Sequence, residues 1–330
     1  MTAAGSIRAV RVCAAALCIF GAVVLTWQLL RYLTVFPTGV AAAVALELPL
    51  LLVGFVAFRL LRPVRLPPMT WSAAALIWGA TAAAGCALLA NRGLIGLWFK
   101  GAGVPFASGW SAALSAPLNE ELLKVCGVVM IALAAPQVIN GPLDALIYGA
   151  LTGLGFQVTE NVIYGLSNIV LSGATNPGQA VLNSALVRVG TTGPGSHWTM
   201  TAVAGAGIGY LVERSRRGGP VVPAAACLLL AMSMHLLFDA PKVIVEIKVG
   251  VNFVIVAALY LILRYAFMER AHELLAAWTA GGLIGESEAR SVLSRQRRRS
   301  ELRRAASPFE RYWLLRRQRE IMAAIEREAA

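Results

Sequence analysis

Val12 to Leu30 reads VCAAALCIFGAVVLTWQLL, a run of 19 residues without a single charge. A second stretch, Pro63 to Asn91, carries only Arg65. Runs of about 18 or more apolar residues are long enough to cross a hydrocarbon layer of ~30 Å as a helix. Lipid tolerates backbone only as helices or closed barrels, because every amide must be satisfied internally. The alternation of a barrel strand is absent, so the spans are helical. The whole chain agrees. Of its residues 58% are hydrophobic and 14% charged, with a mean hydropathy of +0.69, which excludes an ordinary soluble domain.

Working outward, apolar segments at 10–30, 39–61, 70–91, 112–135, 143–166, 196–213, 220–239 and 249–267 predict an all-α, polytopic transmembrane bundle of about eight spans with a basic helical tail. The basic start followed by the 12–30 run also fits a signal peptide. That run is too long for a signal core and spans continue after it, so a retained first span is expected. The expected organisation is three N-terminal spans and an outer loop (1–110), a transmembrane core (111–240), a last span (241–268) and an Arg-rich tail (269–330). The five cysteines (Cys13, Cys18, Cys86, Cys126 and Cys227) lie in apolar segments without a CxxC pair and read as small core residues.

Lys and Arg favour cytoplasmic loops. With the N-terminus inside, the inner side collects Arg8, Arg11, Arg59, Arg62, Arg65, Arg214, Arg216 and Arg217, and the tail from Arg264 onward. The outer side keeps Arg31, Arg92, Lys100, Arg188, Lys242 and Lys248. The tail holds about half of the 29 basic residues and decides the orientation, placing both termini in the cytoplasm of a cell in whose plasma or inner membrane the protein sits. Arg295, Arg297, Arg298, Arg299, Arg303 and Arg304 beside a membrane attract anionic headgroups, at about 1 kcal/mol per charge. Nothing else resembles a nucleic-acid module, so lipid is the expected partner. Trp313, Leu314 and Leu315 among arginines suggest an amphipathic helix on the inner leaflet.

Charges inside the spans are costly, on the order of 2.5–3.5 kcal/mol each near the bilayer centre, and default to a functional reading. Here Glu120, Glu121 and Lys124 share one span, Glu160 occupies the next, and Asp239 lies two spans later. Glu120 and Lys124 are four apart and can pair; Glu121, ~100° round the helix, is expected to face a neighbour. Gly149, Gly153, Phe156, Glu160 and Tyr164 form a stripe whose small residues allow close helix contact. His197, Thr201 and Gly205 share a face, as do His235 and Asp239. The alternating helix directions bring these groups to the outer half of the membrane, with Glu160 about 9 Å and Glu120 about 12 Å below the outer helix ends. Agreement in depth points to one site. Each group also has a structural reading: an ion pair for Glu120 with Lys124, and interfacial or capping roles for His197, His235 and Asp239. Glu47, alone beside Pro49, reads as structural or cavity-facing.

Carboxylates and histidines in a wet intramembrane pocket suit hydrolysis. One carboxylate takes a proton from water, while other groups hold an oxyanion or a metal. There is no HExxH and no GxGD, and Ser196 beside His197 on one segment is poorly placed for a Ser–His dyad.

Asn119-Glu120-Glu121-Leu122-Leu123-Lys124 resembles the EExxK motif of the PrsW intramembrane proteases. The Gly155-Phe156 to Tyr164 segment resembles that family's GFxxxEN followed by Tyr. Gly195-Ser196-His197-Trp198-Thr199 and His235-Leu236-Leu237-Phe238-Asp239 resemble its later motifs. The likeness covers about residues 112–240, in order, and extends to the type II CAAX prenyl endopeptidases, with EExxxR, FxxxH and HxxxN. It implies a glutamate-dependent protease that cuts a single-pass membrane protein near the outer leaflet, an anti-sigma factor for the family's namesake. It implies Glu120 as general base, Glu121 and Lys124 as shaping groups, and Glu160, His197, His235 and Asp239 as holders of water, oxyanion or a Zn²⁺ ion. The alternatives are a non-catalytic scaffold or receptor of the same fold and a proton-coupled transporter. The intact Glu120–Glu121 pair favours the enzyme, and no inverted repeat supports a transporter.

Overall fold

A computed structural model describes residues 3–329. Among them there is no strand. Helices α1 (Ala3–Val35) and α2 (Pro37–Leu60) are followed by α3 (Met69–Trp78), a π turn (Gly79–Ala83) and α4 (Ala84–Ala102), which run on as one long rod. Then come α5 (Val104–Ala134), α6 (Pro142–Leu171), a short α7 (Pro177–Ala185), α8 (His197–Arg217), α9 (Val222–Asp239) and α10 (Val245–Ala280). The tail forms α11 (Glu286–Val292), α12 (Arg295–Arg304) and α13 (Pro308–Glu328).

Local chemistry explains the boundaries. Proline stands in the first turn of α2, α5, α6, α7, α9 and α13, where its missing N–H is no loss. Gly103, at φ 79°, breaks the chain between α4 and α5. α7 lies inside what the sequence reading left as an outer loop. Its signal is Asn176-Pro177: the Asn side chain caps Gln179 N–H at 3.1 Å and Pro follows at once.

Five helical segments are long and apolar enough to cross a membrane: Gly5–Val35, Pro37–Leu60, Met69–Ala102, Val222–Asp239 and Val245–Ala280. The remaining three expected spans, α5, α6 and α8, are helices too, and they carry most of the ionisable groups that lower their hydropathy. They form the inside of the bundle. From Leu143 to Gln157 every residue of α6 is buried, as expected of a helix that is apolar all round. α6 packs on α8, α2, α3 and α5. Gly149 and Gly153 make the α8 contact possible, because a Cβ there would lie 2.2 Å from the Thr201 carbonyl oxygen and 2.6 Å from that of His197. Most helices overrun the expected spans, α10 most of all. Hydropathy registers only the lipid-crossing part of a rod.

The tail folds back on one end of the bundle. Arg62 pairs with Asp144 at 2.8 Å and with Glu326 at 3.6 Å, and Arg65 reaches Glu326 at 3.0 Å. Arg298 is buried and donates to the Val64 carbonyl at 2.7 Å. Ile321, Met322 and Ile325 join the main core beside Leu143 and Leu275. The docked residues lie beyond Trp313, Leu314 and Leu315, the stretch expected on the leaflet. Phe309, Tyr312 and Trp313, in the first half of α13, stay exposed.

Candidate active site

Glu120, Glu121 and Lys124 lie on the buried face of α5, three residues beyond Pro117, which cannot donate to the helix ladder. Lys124 is fully enclosed, and its ammonium has three acceptors for its three protons. These are Glu121 Oε1 at 2.6 Å, His197 Nδ1 at 3.1 Å and Glu120 Oε2 at 3.5 Å. It also sits 4.4 Å above the Phe156 ring. The expected pairing with Glu120 is present but is the looser of the two. Residues three apart share a helix face as well as those four apart, and Glu121 is the nearer partner. Glu121 also faces its neighbours, as expected: it accepts from His235 Nδ1 at 2.8 Å and from Thr201 Oγ1 at 3.2 Å.

The two histidines enter from α8 and α9. His197 starts α8, so its ring lies where the Gly153 contact brings α8 onto α6, and its Nε2 donates to Glu160 Oε2 at 2.7 Å. A carboxylate only accepts, so these two bonds fix both tautomers. His197 carries its proton on Nε2 and His235 on Nδ1. The opposite nitrogens are then lone pairs: that of His197 Nδ1 accepts from Lys124, and it and His235 Nε2 each lie 3.8 Å from Glu120 Oε2. The rings meet edge to face, with centroids 5.2 Å apart. Asp239, one turn beyond His235, places Oδ2 3.5 Å from His235 Nε2 and is partly exposed.

All seven residues singled out from sequence thus gather at one place. They lie far from the tail, since Glu160 is 16 residues along α6 from Asp144, or ~24 Å. Glu120, His197 and His235 each offer one donor atom within 4.8 Å of the others, all buried. This cluster keeps the two histidines of the expected metal quartet and has Glu120 in place of Glu160 and Asp239. Glu160 instead holds the far nitrogen of His197, as Glu121 holds that of His235. These two carboxylates stand behind the rings as their support.

Several partners were not legible in the sequence. Asn91, near the middle of α4, donates to Glu120 Oε1 at 2.8 Å and accepts from Asn119 at 2.7 Å. Arg188, counted only as a loop charge, bonds Glu160 and stacks 3.9 Å over the Tyr164 ring. Glu47 is buried and accepts from Asn161 at 3.0 Å, in keeping with a structural or cavity-facing role. Ser196 is buried and its carbonyl accepts from Thr199, with no bond to a histidine ring.

A cavity of about 510 Å³ opens beside the cluster between α4, α5 and α6. Its polar lining includes Glu120, Glu160, Asn91, Arg92, Tyr164 and Ser167, and its apolar walls Ala87, Leu88, Ile95, Phe156 and Ile163. Such a cleft, mostly apolar with a few converging polar groups, is the usual form of a substrate site.

No curated protein and no solved structure matches this chain. The family model of the PrsW family intramembrane metalloproteases matches residues 67–295, which include every helix of the cluster and the cavity. With more than half of the sequence covered and the buried Glu–His cluster inside the matched part, the chain belongs to the PrsW family of intramembrane metalloproteases.

Proposed function

We propose that this multi-pass membrane protein is an endopeptidase that hydrolyses a peptide bond of a single-pass membrane protein by water activated at Glu120. The observation that carries the reading is the convergence of acceptors. Glu120 Oε2 and the His235 Nε2 lone pair converge beside the cavity, next to His197, whose Nδ1 accepts from Lys124. A water there donates its protons to Glu120 and to a histidine, and its own lone pair is left directed at the substrate. The proton taken by Glu120 passes to the leaving amine, so the carboxylate is regenerated. General-base help of this kind contributes about 10²–10⁴ in rate. Lys124 balances Glu120 and Glu121 and holds them in place. Glu160 and Glu121 orient the rings, and Asp239 lies 3.5 Å from His235 Nε2, where it can take a hydrogen bond from the same water.

Glu120, His235 and, once Lys124 turns away from its Nδ1, His197 fit a divalent ion such as Zn²⁺. Two neutral imidazoles with fixed tautomers and one carboxylate make a three-ligand set with an open position, and each imidazole has a carboxylate behind it. Glu120, His197 and His235 would hold it. Bound zinc supplies Lewis acidity and lowers the pKa of its water to about 7.

The substrate enters the cavity unwound, with an apolar side chain beside the scissile bond, since the walls are aliphatic and aromatic. Arginine distribution supports eight spans with both termini in the cytoplasm of the cell, which puts the cleavage point in the outer half of the membrane. An anti-sigma factor is one substrate of this class. The exposed Phe309, Tyr312 and Trp313 near Arg311 and Arg316 suit an anionic leaflet. The test is a comparison of membrane-protein fragments by proteomics in cells with wild-type protein and with Glu120→Ala. Fragments that vanish with Glu120 support the reading, and a fragment pattern unchanged by Glu120→Ala refutes it.

A further inference from the structure

Arg188 belongs to neither helix that carries the acidic groups. It sits on the π turn Leu186–Thr191, in the segment between α6 and α8. Its side chain leaves that segment and inserts against α6. The guanidinium donates from Nε to Asn161 Oδ1 at 2.7 Å and from Nη2 to Glu160 Oε2, and its plane rests 3.9 Å from the Tyr164 ring centroid. Asn161 is itself anchored, because its Nδ2 donates to the buried Glu47 of α2 at 3.0 Å. The result is one hydrogen-bonded line: Glu47, Asn161, Arg188, Glu160, His197.

We propose that Arg188 is a positioning residue that fixes the orientation of His197 through Glu160. The inference deepens the proteolytic reading and takes its functional meaning from it. Three features favour positioning over a solvated loop charge. The same Glu160 oxygen accepts from Arg188 and from His197 Nε2, so the guanidinium sets where that oxygen lies. A planar fork engaging Glu160 and Asn161 while stacked on Tyr164 has little freedom left. The connection is also short in sequence, nine residues from Arg188 to His197, so the segment that carries Arg188 leads directly into α8. Glu47 accordingly gains a role as the remote anchor of the line.

The geometry fixes what is lost when Arg188 is removed. Without the guanidinium, Glu160 is free to turn toward the cavity it lines. His197 then has no fixed acceptor for Nε2–H, and its ring is held only through Nδ1 by the Lys124 ammonium at 3.1 Å. Removing a partner behind a ligand or an acid–base group costs about 10–100-fold in affinity or activity.

The chain has three histidines, so nitrogen-15 spectra of the full-length, histidine-labelled protein in micelles resolve each ring. Wild-type His197 is expected to show one protonated and one unprotonated nitrogen. In Arg188→Gln the His197 Nε2 signal should shift and broaden as its hydrogen bond to Glu160 loosens, while His235, held by Glu121, stays unchanged. Arg188→Lys, which supplies charge without the fork, should restore the wild-type pattern only in part. Should Arg188→Gln fail to fold, Asn161→Ala, which removes the second anchor alone, must shift His197 in the same direction. A folded Arg188→Gln or Asn161→Ala protein with an unaltered His197 spectrum overturns the proposal. The spectrum needs no substrate, so the two readings fail separately. Altered His197 with no Glu120-dependent fragment in cells would sink the protease and leave the positioning line standing.

Discussion

Replacing Gly149 by Ala adds one methyl group far from any reacting atom, yet it should disable the site. In an ordinary helix the change is favourable by about 1 kcal/mol, because Ala is the better helix former. Here the new Cβ would lie 2.2 Å from the Thr201 carbonyl oxygen, and real Cβ atoms essentially never come nearer than 3.0 Å. The contacting atom is backbone and cannot rotate away, so α8 must retreat from α6 by about 0.8 Å at this point. Thr201 donates to Glu121, and His197 begins the same helix one turn earlier and donates to Glu160. The retreat therefore pulls on two of the hydrogen bonds that orient the cluster. Overpacking costs about 1–3 kcal/mol in stability, and a misplacement near 1 Å can cost about 10² in rate. Cleavage of a Glu120-dependent substrate should fall on the order of 100-fold, with the protein still accumulating in the membrane. The control is Gly250→Ala in α10, where the added methyl meets nothing within 4 Å. Wild-type turnover in Gly149→Ala, with Gly250→Ala equally active, would refute the claim that the α6–α8 approach sets the site.

Glu120→Ala, Glu121→Ala and His235→Ala should each abolish cleavage without loss of the protein from membranes. Glu160→Ala and Asp239→Ala should be nearly as severe and Glu47→Ala mild; full activity in Glu120→Gln would remove that residue as base. Metal analysis of purified protein, with activity after chelation and zinc add-back, tests the Glu120–His197–His235 set, and undiminished turnover in metal-free protein would leave the glutamate alone. A Ser307→Cys reporter in a background without native cysteines should resist labelling from outside intact cells, and labelling there would invert the topology. At the tail, burial pushes the Glu326 carboxyl up, against the pull of Arg62 and Arg65. A raised carboxyl contributes stability fully below its unfolded value and loses it as pH rises through the folded one. α13 should therefore grip the bundle more tightly as pH falls from neutral toward the ordinary carboxylate range, read as slower proteolysis of the Ala305–Ser307 segment, and Glu326→Gln should flatten that dependence.

The sequence was most informative where helix geometry alone decides proximity. Intramembrane charges are rare enough to stand out, and a common depth along alternating helices marked Glu120, Glu121, Lys124, Glu160, His197, His235 and Asp239 as neighbours. The structure assembles all seven. What stayed hidden were contacts between distant segments that carry no unusual residue. Asn91 is one polar side chain in an apolar rod, and nothing in its spacing points at Glu120. Arg188 looked like any loop charge, since reaching Glu160 depends on a π turn whose course no periodicity encodes. The docking of α13 was concealed for a similar reason. Its Ile321, Met322 and Ile325 face reads the same whether it is to meet lipid or protein, and only Arg62, Arg65 and Asp144, far away in the chain, decide between them.

The division between lipid-worthy and polar helices also bears on how such a protein is made. α5, α6 and α8, at 31, 30 and 21 residues, are long enough but fall short of the apolarity that marks the other five, since they carry the clustered polar groups and, in α8, a charged end. Each would partition poorly from the translocon alone. α5 leaves the ribosome before α6, α8 and α9, so Glu120, Glu121 and Lys124 have only one another and Asn91 as partners until His197 and His235 arrive. The nascent chain must therefore shelter a half-built polar centre behind α1 to α4 until the last ring closes over it. Chemistry and ease of biogenesis pull this sequence in opposite directions, and a chain that lost its buried charges would be simpler to insert and useless once there.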